Sequence, residues 1–250
     1  MTTEEFNKSE AKFIANLILE RLDFSDVEIN SFVNIPEKYL EVIRSIEDIE
    51  KTRFLEISNQ SHTFWRKEKN EKIWLWSVPK MSAMVMAELV STTRSKIILE
   101  IGTSAWYSTL FLSAWALTTW WKVYTIELLK EKIDLAKNNF HKANTKNIEL
   151  IEKEASKALL EWSRDEIDFV FLDADKENYG KYLDILLPKM KIWWIIVADN
   201  INDYWHMMEN YLQRVSWTHL PKSRCDSRVK STYIAQLDNW LMITKKIWNG

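Results

Sequence analysis

Residues 96–108 have the sequence KIILEIGTSAWYS, an apolar run that ends at a glycine turn and continues into a helix. A short, nearly continuous apolar run of this kind is typical of a strand buried on both faces. Four similar runs follow, and amphipathic stretches such as 130–143 and 179–190 separate them. This alternation predicts a doubly wound parallel α/β sheet. The five predicted strands are Lys96–Ile101, Lys122–Glu127, Ile148–Glu152, Ile167–Leu172 and Ile195–Ala198.

The chain on either side of these strands has a different character. Residues 1–72 show apolar positions at helical spacing and no strand-like run, which predicts a helical extension ahead of an α/β domain at 73–250. Near the end, Ser231–Leu237 and Leu241–Lys246 flank residues 238–240, which predicts a terminal antiparallel hairpin. The N-terminal helices could cover a cofactor, line an acceptor pocket or form the face of a homodimer, and the sequence leaves these roles open.

Composition excludes several classes of protein. Of 250 residues, 46% are apolar and 28% charged, so the chain is neither disordered nor fibrous. A net charge of -2 gives no electrostatic footprint for nucleic acid or an anionic membrane. The single Cys225, the acidic N-terminus and the absence of a long apolar run lead us to expect a cytoplasmic protein without a membrane partner.

Polar residues at the ends of the first two strands indicate a nucleotide site. In doubly wound sheets, ligands bind beyond the carboxyl ends of the strands, where the strand order reverses. Glu100 and Gly102 stand at the end of the first strand, where backbone must approach a ligand closely. Glu127 ends the second strand and is placed to accept hydrogen bonds from both hydroxyls of a ribose. These positions favour a cofactor that contains adenosine, a feature that NAD and S-adenosylmethionine share.

Carboxylates follow the next two strands of the predicted sheet. Asp173 comes directly after the fourth strand, and Asp199 and Asn200 come after the fifth. Such hard oxygen ligands suit Mg²⁺ or a similar divalent cation. Lys176 lies three residues beyond Asp173 and could act as a general base, because a neighbouring dication favours the neutral amine.

Four segments together resemble one enzyme family. They are residues 99–108 (LEIGTSAWYS), 125–127 (TIE), 171–179 (FLDADKENY) and 196–200 (IVADN). They resemble the cation-dependent S-adenosylmethionine O-methyltransferases, the group of the caffeoyl-CoA and catechol O-methyltransferases. The similarity covers about residues 73–247, and it implies a Rossmann-like methyltransferase sheet with a terminal antiparallel hairpin.

The resemblance also implies roles for individual residues. Asp173, Asp199 and Asn200 would hold the cation, and Lys176 would be the catalytic base. Glu127 would bind the cofactor ribose, and Asp173 would also approach the sulfonium. The other implied cofactor-binding residues are Glu100, Gly102 and Ser108 near the methionine end and Ala155 and Ser156 near the adenine. The expected reaction is methyl transfer from S-adenosylmethionine to a catechol-like or vicinal hydroxyl of a small molecule.

Three other functions stay open on the sequence. Some members of the broad family act on hydroxylated uridine in tRNA, so an RNA acceptor is the second enzymatic candidate. An NAD-dependent dehydrogenase would share the fold, but hydride transfer has no need of the Asp-Ala-Asp-Lys and Asp-Asn groups. A non-catalytic relative that only binds ligands or partners is the third.

Glycine is scarce and tryptophan abundant in this chain. There are 3 Gly and 14 Trp, whereas average usage predicts about 17 Gly. Many tryptophans stand at positions where the family has glycine, which suggests UGA codons for glycine that were translated as tryptophan. We expect the side chain of Trp106 to project into the cofactor's space, and we expect weak or absent cofactor binding if the tryptophans are genuine. The eleven positions in question are Trp74, Trp76, Trp106, Trp115, Trp120, Trp121, Trp193, Trp194, Trp205, Trp217 and Trp240.

Overall fold

The structure is a computed structural model that describes residues 3–24, 33–58, 75–117, 121–164, 166–215, 226–235, 237 and 241–248, with the side chains of 53–58 left aside. Its α-helices are α1 (Thr3–Arg21), α2 (Glu37–Ser58), α3 (Lys80–Thr92), α4 (Tyr107–Ala116), α5 (Lys130–Ala143), α6 (Ala155–Leu160), α7 (Tyr179–Leu186), α8 (Ile201–Tyr204) and α9 (Glu209–Val215). Its strands are β1 (Ile97–Ile101), β2 (Lys122–Glu127), β3 (Ile148–Glu152), β4 (Ile167–Leu172), β5 (Met190–Ala198), β6 (Val229–Ile234) and β7 (Leu241–Lys246).

The strands form one sheet in the order β3-β2-β1-β4-β5-β7-β6. The first five strands are parallel, and β7 runs antiparallel to both β5 and β6. The order reverses between β1 and β4, because the chain first builds outward to β3 and then returns to the other side of β1. This arrangement confirms the predicted α/β sheet with its terminal antiparallel hairpin.

Alternate residues of the central strands enter two separate cores, as the two-residue period of a strand requires. Ile98 and Phe169 belong to the core on one face, together with α1, α3 and parts of α2, α4 and α5. Leu99 and Val170 belong to the core on the other face, with α6, α7 and α9. The N-terminal helices therefore pack into the main core. Within the described ranges, every helix is too short or too polar to cross a bilayer.

The bounds of three strands, β1, β5 and β6, differ from the sequence prediction. Strand β5 begins at Met190 rather than Ile195, because its first residues form an irregular segment: Ile167 pairs with Met190, whereas Phe169 pairs with Ile195. Strand β6 ends at Ile234, and the expected hairpin turn at 238–240 lies outside the described residues. The predicted domain boundary at 72/73 also lies outside them and stays a prediction.

Candidate active site

A cavity of about 820 Å³ opens at the carboxyl ends of the parallel strands, where the strand order reverses. Residues from the ends of β1, β2, β4 and β5 all contribute to its wall. Doubly wound sheets bind their ligands at this place, because the loops that leave neighbouring strands diverge there. Seven predicted cofactor, metal or base residues line it, and five of them are Gly102 after β1, Glu127 at the end of β2, Asp173 and Lys176 after β4, and Asp199 after β5. Ala155 and Asn200 line it as well.

Gly102 is required by the contact between two loops. Its φ is +100°, a backbone conformation that residues with a side chain rarely adopt. A Cβ atom at this position would lie 2.1 Å from the carbonyl oxygen of Asp173. The glycine therefore lets the turn after β1 touch the turn after β4, and this contact brings Asp173 to the floor of the cavity.

The Glu127 carboxylate is held rigidly at the end of β2. One oxygen accepts hydrogen bonds from the backbone N–H groups of Leu128 and Leu129, both at 2.9 Å, and the other accepts from the N–H of Ser104 at 3.0 Å. The side chain is 8% exposed and lines the cavity. Because each carboxylate oxygen has further lone pairs, Glu127 can still accept hydrogen bonds from a diol.

Glu100 and Ser108 lie beneath the cavity and do not line it. The carboxylate of Glu100 is fully buried and accepts hydrogen bonds from the hydroxyls of Ser108 at 2.6 Å, of Thr125 at 2.7 Å, and of Thr109. Burial outweighs these hydrogen bonds and raises the pKa of Glu100 to about 7. In this structure the two residues support the turn after β1, and their predicted contact with the cofactor stays a prediction.

The segment after β3 places Ala155 at the cavity and Ser156 below it. Glu154 accepts hydrogen bonds from the N–H groups of Ser156 and Lys157, both at 2.8 Å, and so caps the start of α6. Ala155 and Glu154 line the cavity, whereas Ser156 is buried at 3% exposure. A direct role of Ser156 in cofactor binding stays a prediction.

Lys176 is fixed by two neighbours in the loop after β4. Its Nζ donates hydrogen bonds to Oδ1 of Asp173 at 2.6 Å and to the hydroxyl of Tyr179 at 2.9 Å. The Tyr179 hydroxyl in turn donates to the carbonyl oxygen of Leu172 at 2.8 Å, and its ring is fully buried. The lysine side chain is only 11% exposed, so its amine is presented to the cavity at a defined position.

Asp173 and Asp199 occupy equivalent positions on adjacent parallel strands. Leu172 pairs with Ala198 in the ladder between β4 and β5, so the two aspartates are the next residues on each side. Asn200 follows in the left-handed conformation, with φ +62°, which asparagine tolerates better than most residues. Two carboxylates and an amide oxygen thus line one wall of the cavity. This set of hard oxygen donors fits a divalent cation. Only two of the three donors are carboxylates, and the described residues contain no cluster of three His, Cys, Asp or Glu side chains suited to a metal, at this wall or elsewhere.

Several cavity residues were not predicted from the sequence. Trp76 and Ser77 come from the segment before α3, and Tyr204 and Met207 come from the segment after β5. No sequence motif marks these residues, and they reach the cavity only through the packing of helices. The remaining unpredicted lining residues are Ile101, Ser104, Ile126, Leu128, Leu129, Lys132, Lys153, Glu154, Ala174, Asp175, Asn178, Tyr182 and Asp203.

The described tryptophans fall into two groups by backbone conformation. Trp76, Trp106 and Trp193 have φ values of +52°, +85° and +75°, in the left-handed region that favours glycine. Trp115 lies inside α4 and Trp205 has φ -49° at the end of α8, and neither Trp121 nor Trp194 has a positive φ. None of these four backbones therefore demands glycine. Four of the eleven positions, 74, 120, 217 and 240, lie outside the described residues.

The prediction that Trp106 projects into the cofactor's space is wrong. Its side chain is 0% exposed and points into the core, where its ring centroid lies 2.8 Å from that of Phe140. Aromatic pairs normally keep their centroids about 4.5–7 Å apart, so this space is too small for an indole. The Nε1 of Trp106 is also buried without a hydrogen-bond partner among the described residues. The indole of Trp106 therefore disturbs the packing of the core and does not enter the cavity.

Comparison with known proteins agrees with this geometry. Residues 58–245 match the profile of a family described as O-methyltransferase. Tapetum-specific methyltransferase 1 from Arabidopsis thaliana is 33% identical over 127 residues, 49% of this chain and 54% of that protein. A flavonoid 3',5'-methyltransferase from Vitis vinifera is 28% identical over 151 residues, 58% of this chain and 60% of that protein. The chain thus spans little more than half the length of these curated relatives.

Solved structures share the fold over nearly the whole chain. An O-methyltransferase from Bacillus cereus in complex with SAH has a TM-score of 0.63 and 19% identity, and the match covers 95% of this chain and 99% of that one. The O-methyltransferase TomG from Streptomyces achromogenes, in complex with SAM, has a TM-score of 0.63 and 17% identity, with 99% and 100% covered. With the family profile matching about three quarters of its length, the chain belongs to the O-methyltransferase family.

Proposed function

We propose that this protein transfers the methyl group of S-adenosylmethionine to one hydroxyl of a small catechol-like or vicinal diol. The observation that carries the proposal is the placement of Glu127 on one side of a single cavity and of Asp173, Lys176 and Asp199 on the other. A carboxylate suited to a ribose and an amine suited to a proton transfer would then face one bound pair of reactants. Family membership and the methyltransferase names of the relatives support the same reaction.

Asp173, Asp199 and Asn200 would hold a divalent cation, most simply Mg²⁺, and the donor set on the cavity wall fits one. When bound, such a cation stabilises negative charge on a substrate oxygen that it contacts. The contribution of Lys176 is to accept the hydroxyl proton at Nζ. Its hydrogen bonds to Asp173 and Tyr179 hold this atom in place before substrate binds, which reduces the entropy lost on reaching the reactive geometry.

The acceptor side of the cavity favours a small and uncharged or cationic molecule. Asp173, Asp175, Asp199 and Asp203 line it, together with Lys176. A polyanion such as RNA would meet repulsion there, because like charges in a partly enclosed cleft strengthen one another's field. We therefore place a tRNA hydroxyuridine acceptor second. Tyr204 and Met207 supply the apolar surface that a planar ring would contact.

The deciding experiment is a methyl-transfer assay with S-adenosylmethionine and a panel of catechols, with Mg²⁺ and with chelator. We expect activity that the chelator abolishes. Lys176→Ala should lower kcat by roughly 10²–10⁴-fold, the range for loss of a general base. Lys181→Ala, which removes an exposed lysine from the adjacent α7, is the matched control and should leave kcat unchanged.

Each part of the proposal can fail separately. Activity that persists in chelator would remove the cation from the reaction. Full activity of Lys176→Ala would remove the proposed base. Binding of S-adenosylmethionine without transfer to any catechol or to tRNA would favour a non-catalytic relative.

A further inference from the structure

Two acidic residues of α2 make hydrogen bonds to neighbouring elements, and one of these bonds holds a residue that lines the cavity. Glu47 and Glu50 are three residues apart and so lie on the same side of the helix. Glu50 accepts a hydrogen bond from the backbone N–H of Ser77 at 3.0 Å. Glu47 accepts one from the hydroxyl of Tyr107 at 2.7 Å and lies 3.2 Å from Nζ of Lys80.

The residues that these acids hold belong to the cavity or border it. Trp76 and Ser77 line the cavity directly, in what we call the 75–77 segment. On its other side, this segment is tied to the turn after β1, because the hydroxyl of Ser104 donates to the carbonyl oxygen of Leu75. The N–H of Ser104 donates to Glu127 at 3.0 Å. A continuous set of hydrogen bonds thus runs from α2 through the 75–77 segment to the carboxylate proposed to bind the ribose.

The 75–77 segment needs these contacts because of its backbone. Trp76 has φ +52°, and such conformations persist only where surrounding contacts determine them. The hydrogen bonds at Leu75 and Ser77 stand immediately before and after this residue. If the natural residue at 76 is glycine, the strain disappears but the backbone becomes freer, and the same two contacts are needed to hold it.

From this arrangement we infer that α2 is part of the cofactor site and that Glu50, assisted by Glu47, is a positioning residue for S-adenosylmethionine. The inference rests on the proposed function, since it assumes that this cavity binds that cofactor. It assigns one of the roles that the sequence left open for the N-terminal helices. Glu50 touches the 75–77 segment and not the reacting atoms, so its loss should weaken cofactor binding and raise KM for the cofactor while kcat changes little.

The test compares three variants of the full chain by calorimetric titration with S-adenosylhomocysteine and by thermal unfolding. Glu50→Ala removes the charged acceptor, and we expect a roughly tenfold weaker Kd, the effect of losing about one hydrogen bond to a charged group. Glu50→Gln keeps a neutral acceptor and should weaken Kd by about threefold, since neutral hydrogen bonds are roughly half as strong. Asp48→Ala removes an exposed acid from the same helix and should match the wild type.

The outcomes separate this inference from the proposed function. Failure of the wild-type protein to bind S-adenosylhomocysteine would contradict the proposed function itself. If the wild type binds, a folded Glu50→Ala variant with unchanged Kd would overturn the positioning role, as would an equal loss of affinity in Asp48→Ala. Should Glu50→Ala fail to fold, Glu50→Gln decides alone, and an unchanged Kd in that variant would overturn the inference.

Discussion

Replacement of Trp106 by glycine should stabilise the protein, although it removes a fully buried aromatic side chain. Position 106 combines a left-handed backbone, an unpartnered buried Nε1 and a ring that overlaps the space of Phe140. Relief of the backbone conformation should contribute about 1–2 kcal/mol, and removal of the unsatisfied N–H about 1–3 kcal/mol. Loss of the indole also relieves its overlap with Phe140, which offsets part of the cost of the cavity that it leaves.

We therefore expect Trp106→Gly to raise the free energy of unfolding by about 2 kcal/mol or more, which raises Tm by roughly 4–8 °C in a chain of this size. Urea and thermal unfolding should be followed by circular dichroism, because the substitution itself changes the indole fluorescence. A well-packed buried tryptophan would give the opposite sign, a loss of about 3–5 kcal/mol. Destabilisation of that size would refute the reasoning about position 106.

Trp115→Gly is the matched control for this prediction. Trp115 lies within α4, its ring centroid is 6.0 Å from that of Trp121, and its backbone is right-handed helical. We expect Trp115→Gly to lower the free energy of unfolding, because glycine in a helix costs about 1 kcal/mol relative to alanine and the contact between the two rings is lost. If Trp115→Gly also stabilised the protein, stabilisation by Trp106→Gly could not be attributed to the left-handed backbone and the crowded ring at position 106.

Three further predictions concern single carboxylates. Glu100→Gln should change the pH dependence of stability. Because the pKa of Glu100 is raised in the folded state, this carboxyl keeps its proton between pH 4.5 and about 7 in the folded protein and loses it in the unfolded chain. Wild-type stability should therefore fall across this window by roughly 3 kcal/mol, and denaturation of the Gln variant at several pH values should lack that fall. Asp226 has a lowered pKa, chiefly through its hydrogen bonds to Arg228 and also to Arg214. The ionised Asp226 should stabilise the fold above about pH 4, the pKa of an unfolded aspartate, and this stabilisation should be lost as the pH falls further. Asp226→Asn should therefore lower the free energy of unfolding by roughly 1.5–3 kcal/mol at pH 7, and the stability of the variant should fall less steeply at acid pH. Glu127→Gln should weaken S-adenosylmethionine binding by roughly tenfold, measured calorimetrically, because charge-assisted hydrogen bonds to the ribose would be lost; unchanged affinity would remove Glu127 from the cofactor site.

The hypothesis of misread glycine codons now makes different predictions for different tryptophans. Position 106 is the strongest case, and peptides of the native protein across residues 96–122 should contain glycine there. Trp162 should be genuine, because its ring packs edge-on to Tyr124 with centroids 5.1 Å apart and lies under the guanidinium of Arg164. Mass spectrometry that finds tryptophan at 106 would end the codon hypothesis.

Sequence patterns predicted several of the residues that line the cavity, but not the depth at which others lie. The carboxylates at 173 and 199 were found because strand ends are visible in the sequence and parallel strands bring their carboxyl ends together. The same reasoning placed Glu100 at the cofactor, and the family resemblance implied this for Ser108. In the fold both lie beneath the cavity, and their contact with the cofactor stays a prediction. Position along a strand predicts which end of the sheet a residue occupies. The direction of its side chain and the depth of the cavity floor depend on how the helices pack on the sheet.

The sequence by itself determined the order of strands and helices, the family, and the residues at the strand ends, because each depends on local periodicity or on a short motif. Only the tertiary structure decided that Glu50 of α2 holds Ser77 at the cavity wall and that the indole of Trp106 enters the core instead of the cofactor's space. Both facts depend on contacts between residues that are far apart in the chain. Such contacts follow from how helices pack on the sheet, and no local pattern encodes the direction in which a side chain leaves a turn.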